Sequence, residues 1–98
     1  MARVEIAPAV VDDLDRIFDH LTRHEADHVP QRIGEIVDAL SVLETNPLIG
    51  RPTTRNKREL VIGQRSRGYV ALYRYVPELD FVFVLAIRSQ REAGYATS

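Results

Sequence analysis

The sequence predicts an α+β fold of two layers in the order βααβββ, with a helical hairpin packed on a mainly antiparallel four-stranded sheet. Three observations carry this expectation. Apolar residues recur every three or four positions between Val10 and Leu43, as on helices with one buried face. Beyond Arg58 the pattern changes to β-branched and aromatic runs. The breaks between those runs, Gly63 to Gly68 and Pro77 to Asp80, are short enough for hairpins.

Arg3-Val-Glu-Ile alternates polar and apolar residues and stops at Pro8, as a short strand does. Pro8 suits the first turn of a helix, where its missing N–H costs nothing. Val10, Val11, Leu14, Ile17, Phe18 and Leu21 then form one apolar stripe, with Asp12, Asp13, Asp15 and Asp19 expected on the opposite side near the positive end of the helix dipole. Ile33, Ile36, Val37, Leu40 and Leu43 predict a second helix ending at Thr45-Asn46-Pro47, because a residue before proline is pushed out of helical geometry. Leu48 to Lys57, with Gly50, Pro52 and two threonines, reads as a loop. Glu59–Ile62, Tyr69–Val76 and Phe81–Ile87 are then three strands of a meander. The last is apolar on both faces, which predicts an interior position.

The chain has 98 residues, 45% hydrophobic and 28% charged, the balance of an ordinary soluble chain organised as one domain over residues 1–98. With no cysteine, disulfides, thiolate metal sites and thiol nucleophiles are excluded, and a reducing cytoplasm is the expected compartment. Phe81–Ile87 is far shorter than the roughly 20 residues a membrane helix needs, so no membrane partner is expected. The N-terminus lacks the apolar stretch of a signal peptide, and no export is expected.

The net charge of −1 hides a segregation. Residues 1–50 hold four basic and ten acidic side chains, a net of −6, whereas residues 51–75 hold seven basic ones against Glu59 alone, a net of +6. Every basic residue but Lys57 is arginine, the side chain suited to planar contact with carboxylates or phosphates. An acidic target or a nucleic acid fits this pattern, as does pairing of the basic hairpin with the chain's own acidic half.

His24-Glu-Ala-Asp-His28 matches the zinc-protease spacing, with His20 one turn earlier. Pro30 lies two residues after His28, where a helix carrying both ligands would be ending, and no third ligand follows. The segment therefore reads as a polar turn with exposed histidines, and neither a metal nor another cofactor is expected. No phosphate-cradling glycine loop and no G-x-S-x-G serine occurs. What remains is a strand-borne basic group: Arg65, Arg67, Arg74, Arg88 and Arg91, with Tyr69, Tyr75 and Tyr95 among them. Guanidinium groups can stabilise a phosphodiester's charge and a phenol can assist proton transfer; the same set can also bind an acidic surface.

The order βααβββ, the turn Asn46-Pro-Leu-Ile-Gly-Arg-Pro52, Arg58-Glu-Leu-Val-Ile-Gly63, Gly68-Tyr-Val-Ala-Leu-Tyr-Arg-Tyr75 and the ending Val84 to Tyr95 together resemble the RelE/ParE toxin superfamily. The resemblance covers nearly the whole chain. It implies the toxin of a bacterial type II toxin–antitoxin pair, neutralised by a small antitoxin whose C-terminal segment wraps the toxin. RelE-like members cleave mRNA on the ribosome, with basic residues on the first meander strand, after the hairpin Gly-Tyr and after the last strand. At the matching positions this chain has Val61, Gly63, Val70 and Ser89; it keeps Tyr95, with Arg65, Arg88 and Arg91 nearby. ParE-like members lack that set and poison DNA gyrase, and the chain looks more like these. The expected gyrase-binding residues are Arg65, Arg67, Arg74, Arg88, Arg91 and Tyr95. The alternatives are a ribosome-dependent ribonuclease using Arg65, Arg88, Arg91 and Tyr95 on mRNA, and a nontoxic binding domain that keeps the fold.

Overall fold

The computed structural model describes residues 1–24, 26–63, 68–92 and 94–95. The elements follow in the order β1 (Arg3–Ile6), α1 (Pro8–Arg23), α2 (Val29–Leu40), a 3-10 turn (Ser41–Glu44), β2 (Arg51–Pro52), β3 (Lys57–Ile62), β4 (Tyr69–Val76) and β5 (Phe81–Ser89). The expected two-layer α+β architecture is present. Its sheet has five strands in the order β1-β5-β4-β3-β2 rather than four, because Arg51 and Pro52 pair with Glu59 and Arg58 as a two-residue edge strand. Proline is tolerated there because an edge strand need not donate on both sides.

All the pairings are antiparallel except β1 with β5, which run parallel in register from Arg3↔Phe81 to Ile6↔Val84. β5 thus has a strand on each side, the interior position that its apolar run predicts.

One face of the sheet carries the core. Val82, Val84, Ala71, Tyr73 and Ile87 are fully buried against Val10 and Ile17 of α1, Ile36 and Leu40 of α2, and Leu43. Each buried Val, Leu or Ile among them contributes roughly 1.5–3 kcal/mol by leaving water, so the helical stripe and the strand alternation are two sides of one apolar contact. Pro8 stands in the first turn of α1 as expected.

One acidic residue departs from its expected place. Asp13 points inward and is 2% exposed, its Oδ2 accepting a hydrogen bond from the Ile87 amide at 2.8 Å. Pairing with β1 ends at Val84, so the β5 edge beyond it has no strand neighbour, and α1 supplies the missing acceptor.

Tyr73 is buried with its hydroxyl accepting a bond from the Gly50 amide at 2.9 Å, and Arg58 donates to the Leu48 and Gly50 carbonyls. These bonds hold the loop before β2 against the sheet.

Candidate functional site

The register sorts the strand residues between two faces. Glu59 and Val61 of β3, Val70, Leu72 and Arg74 of β4, and Phe83, Ala86 and Arg88 of β5 lie on the face away from the helices. A register shift between Leu72 and Tyr73 puts Leu85 outside the pairing and lets Val84 and Ile87 both reach the core.

On this open face four side chains meet. The Tyr95 hydroxyl donates to Glu59 Oε2 at 2.7 Å, and Arg51 Nε donates to Glu59 Oε1 at 3.1 Å. The Arg88 guanidinium lies over the Tyr95 ring, 5.1 Å from its centroid, which suits a cation on an aromatic face. Because Tyr95 follows β5 and its hydroxyl bonds Glu59 of β3, its side chain spans β4. Val70, the register partner of Arg88, is buried on this face, which the helices do not cover.

The electrostatics follow from these contacts. The Glu59 carboxyl is held below its ordinary value, first by the Tyr95 hydrogen bond, against the upward push of burial, and further by the bond and charge of Arg51 and by the charge of Arg88. The Tyr95 hydroxyl is pushed well above the ordinary phenol value, first by burial and then by Glu59. A phenol so held keeps its proton at neutral pH and is a poor base. Arg88 Nη1 donates to the Ser89 and Glu92 carbonyls at 3.1 Å each, while its Nε is buried without an acceptor among the described residues.

The turn after β5 is tied down from several sides. Glu92 Oε2 accepts from the Ser89 amide at 2.6 Å, its Oε1 pairs with Arg16 of α1, and the Gln90 amide donates to the Gly68 carbonyl at 3.0 Å. Arg91 is exposed on this turn and lines a groove with Arg16, His20, Arg32 and Tyr69, at the end of the sheet beside α1.

The expected site residues therefore fall into separate places. Arg88 and Tyr95 are together on the open face, and Arg91 lines the groove beside α1. Arg74 is four residues along β4 from Val70, about 13 Å away, where it pairs with Lys57 and donates to the Arg55 carbonyl. Arg65 and Arg67 lie outside the described residues. Glu59 is the member that sequence reasoning passed over. Its signal was its standing as the one acid among the seven basic residues of 51–75.

The zinc-like spacing is not built. α1 ends at Arg23, His24 caps it by donating its amide to the His20 carbonyl, and His28 has φ 57° at the N-cap of α2. Pro30 opens α2 instead of ending a helix, since its missing N–H is harmless in the first turn. Among the described residues no three metal-ligating side chains cluster, and no helix is long and apolar enough to cross a membrane.

Residues 4–94 match the family model of the ParE toxin of the type II toxin–antitoxin system parDE. No curated protein sequence is significantly similar to the chain. Among solved structures, a chain of the chromosomal ParDE system from P. aeruginosa is similar at TM-score 0.74 and 22% identity, covering 91% of this chain and 96% of that one. A chain of the intact E. coli RelBE toxin–antitoxin complex gives 0.62 and 14%, covering 94% and 100%. A chain of the RelBE2 complex from Mycobacterium tuberculosis gives 0.60 and 21%, covering 91% and 98%. These likenesses are of fold.

Proposed function

The chain belongs to the family of ParE toxins of type II toxin–antitoxin systems, and from that premise we propose that it arrests growth by binding DNA gyrase and not by cutting RNA. One observation carries the choice between the two targets. Tyr95 and Arg51 are both bonded to the Glu59 carboxylate, which lies beside Arg88. Cleavage without a metal requires a phenol free to move a proton and guanidinium groups free to take up the phosphate's charge. A carboxylate in their midst opposes both. A protein target makes no such demand, and the same residues then serve as a rigid polar anchor.

In this reading Arg88, Arg91 and Tyr95 contact the target, and the cations Arg65, Arg67 and Arg74 steer the basic sheet toward an acidic surface of gyrase. A cognate antitoxin holds the toxin inactive in the cytoplasm. In support, the three similar structures come from toxin–antitoxin systems. Supercoiling of relaxed plasmid by gyrase, with the purified chain added, tests the proposal. Inhibition by the wild-type chain, weakened at least about tenfold (about 1.4 kcal/mol) in Arg91→Ala and Tyr95→Ala, is the expected result. Undiminished supercoiling at saturating toxin overturns it.

A further inference from the structure

We infer that Glu59 is a specificity residue: its carboxylate fills, from within the chain, the anion position between Arg51, Arg88 and Tyr95, and so bars the phosphates of single-stranded nucleic acid from the open sheet face. The inference rests on the gyrase reading and adds the residue that enforces it. The open face otherwise has what a nucleic-acid surface needs. It carries Arg51, Lys57, Arg74 and Arg88, with Arg3 already paired to Glu5 at its far edge, together with a stacked aromatic pair, Phe81 and Phe83, whose ring centroids are 5.4 Å apart. Exposed cations with aromatic rings on a sheet are the usual platform for single strands.

The donors at the centre of that platform are already taken. Both carboxylate oxygens of Glu59 are used, Oε1 by Arg51 and Oε2 by Tyr95. The Glu59 side chain is 16% exposed while Arg51 is 60% exposed, so the acid sits beneath the cation. An arriving phosphate would meet a fixed negative charge under the guanidinium it needs.

The test is fluorescence anisotropy of a labelled single-stranded RNA dodecamer with the full chain. Glu59→Gln keeps the side chain's shape and an acceptor for Tyr95 while removing the charge. At about 50 mM salt it is expected to bind the RNA about tenfold more tightly than wild type. Its salt slope should steepen by about 0.7, the contribution of the one freed cation, Arg51, on a single strand. Glu78→Gln, in the exposed turn between β4 and β5, removes the same charge elsewhere and should change neither quantity. Equal RNA affinity of Glu59→Gln and Glu78→Gln overturns the inference.

A second variant keeps the test decisive if Glu59→Gln fails to fold. Arg51→Ala alters an exposed edge residue and should leave the salt slope of the weak RNA binding unchanged, because Arg51 is paired with Glu59 and contributes no phosphate contact. Arg74→Ala, which has no carboxylate partner among the described residues, should flatten that slope by about 0.7. A flattening in Arg51→Ala equal to that in Arg74→Ala overturns the inference. Supercoiling assays on the same preparations report separately on the gyrase reading. Loss of inhibition there, with the RNA results as expected, removes the target and leaves the role of Glu59 standing.

Discussion

Replacing Asp13 by alanine tests how the helical layer is fastened to the sheet. Asp13 is 2% exposed, Ile87 is fully buried, and the bond between Oδ2 and the Ile87 amide is 2.8 Å long. Because β1 stops pairing at Val84, no strand carbonyl is available to take over. Alanine would leave a buried N–H without an acceptor, a loss of about 1–3 kcal/mol. Arg16 would lose its 3.4 Å contact with Asp13 but keep Glu92, so that contribution is small. A net loss of about 2 kcal/mol lowers the melting temperature of a domain this size by about 8–16 °C. Asp13→Asn retains an oxygen acceptor and should lose about half as much. Urea and thermal unfolding followed by circular dichroism measure both. An Asp13→Ala chain within about 0.5 kcal/mol of wild type, or an Asn variant as damaged as Ala, refutes the reasoning.

Gly50→Ala should destabilise by about 1–3 kcal/mol, read from the urea midpoint, because overpacking forces buried neighbours to shift. A Cβ at Gly50 would stand 2.7 Å from the Tyr73 ring and 2.8 Å from the Glu59 carbonyl oxygen, and Tyr73 is fully buried; an unchanged midpoint would contradict this packing. A pH effect follows from Glu59, whose carboxyl is held below its ordinary 4.5 chiefly by Tyr95. A depressed folded-state value gives stability that is fully present above the unfolded value and is lost as pH falls through the folded one. Wild type should therefore exceed Glu59→Gln in urea midpoint at pH 7, with the gap closing as pH falls below the ordinary 4.5; a gap constant with pH would contradict the bonding of Glu59 to Tyr95 and Arg51.

The strands were legible because Tyr69–Val76 and the run from Phe81 combine β-branched and aromatic residues between turn signals, and both elements formed where expected. The helical stripes were legible for the same reason, since burial of Val10, Ile17, Ile36 and Leu40 is what periodicity encodes. Asp13 was misplaced because periodicity sorts residues by polarity. It cannot see a carboxylate drawn inward by an amide at the end of a strand pairing. The edge strand Arg51–Pro52 was hidden by proline and glycine, whose composition signals a loop whether or not two residues pair.

The candidate site was legible in part. Arg88 and Tyr95 were both singled out, and they meet across a cation–aromatic contact. Arg91 was grouped with them by sequence distance, yet the turn after β5 sends it to the groove beside α1. Glu59 was out of reach because only the fold shows that the Tyr95 side chain, after β5, reaches a carboxylate of β3. A lone acid in a basic segment was the visible trace of that contact.

Inducing the chain in growing bacteria without an antitoxin, and following thymidine, uridine and methionine incorporation over the first minutes, tests the choice of target most directly. Thymidine incorporation is expected to fall first, with methionine incorporation spared. Collapse of methionine incorporation before thymidine would contradict the gyrase reading and point to the ribosome.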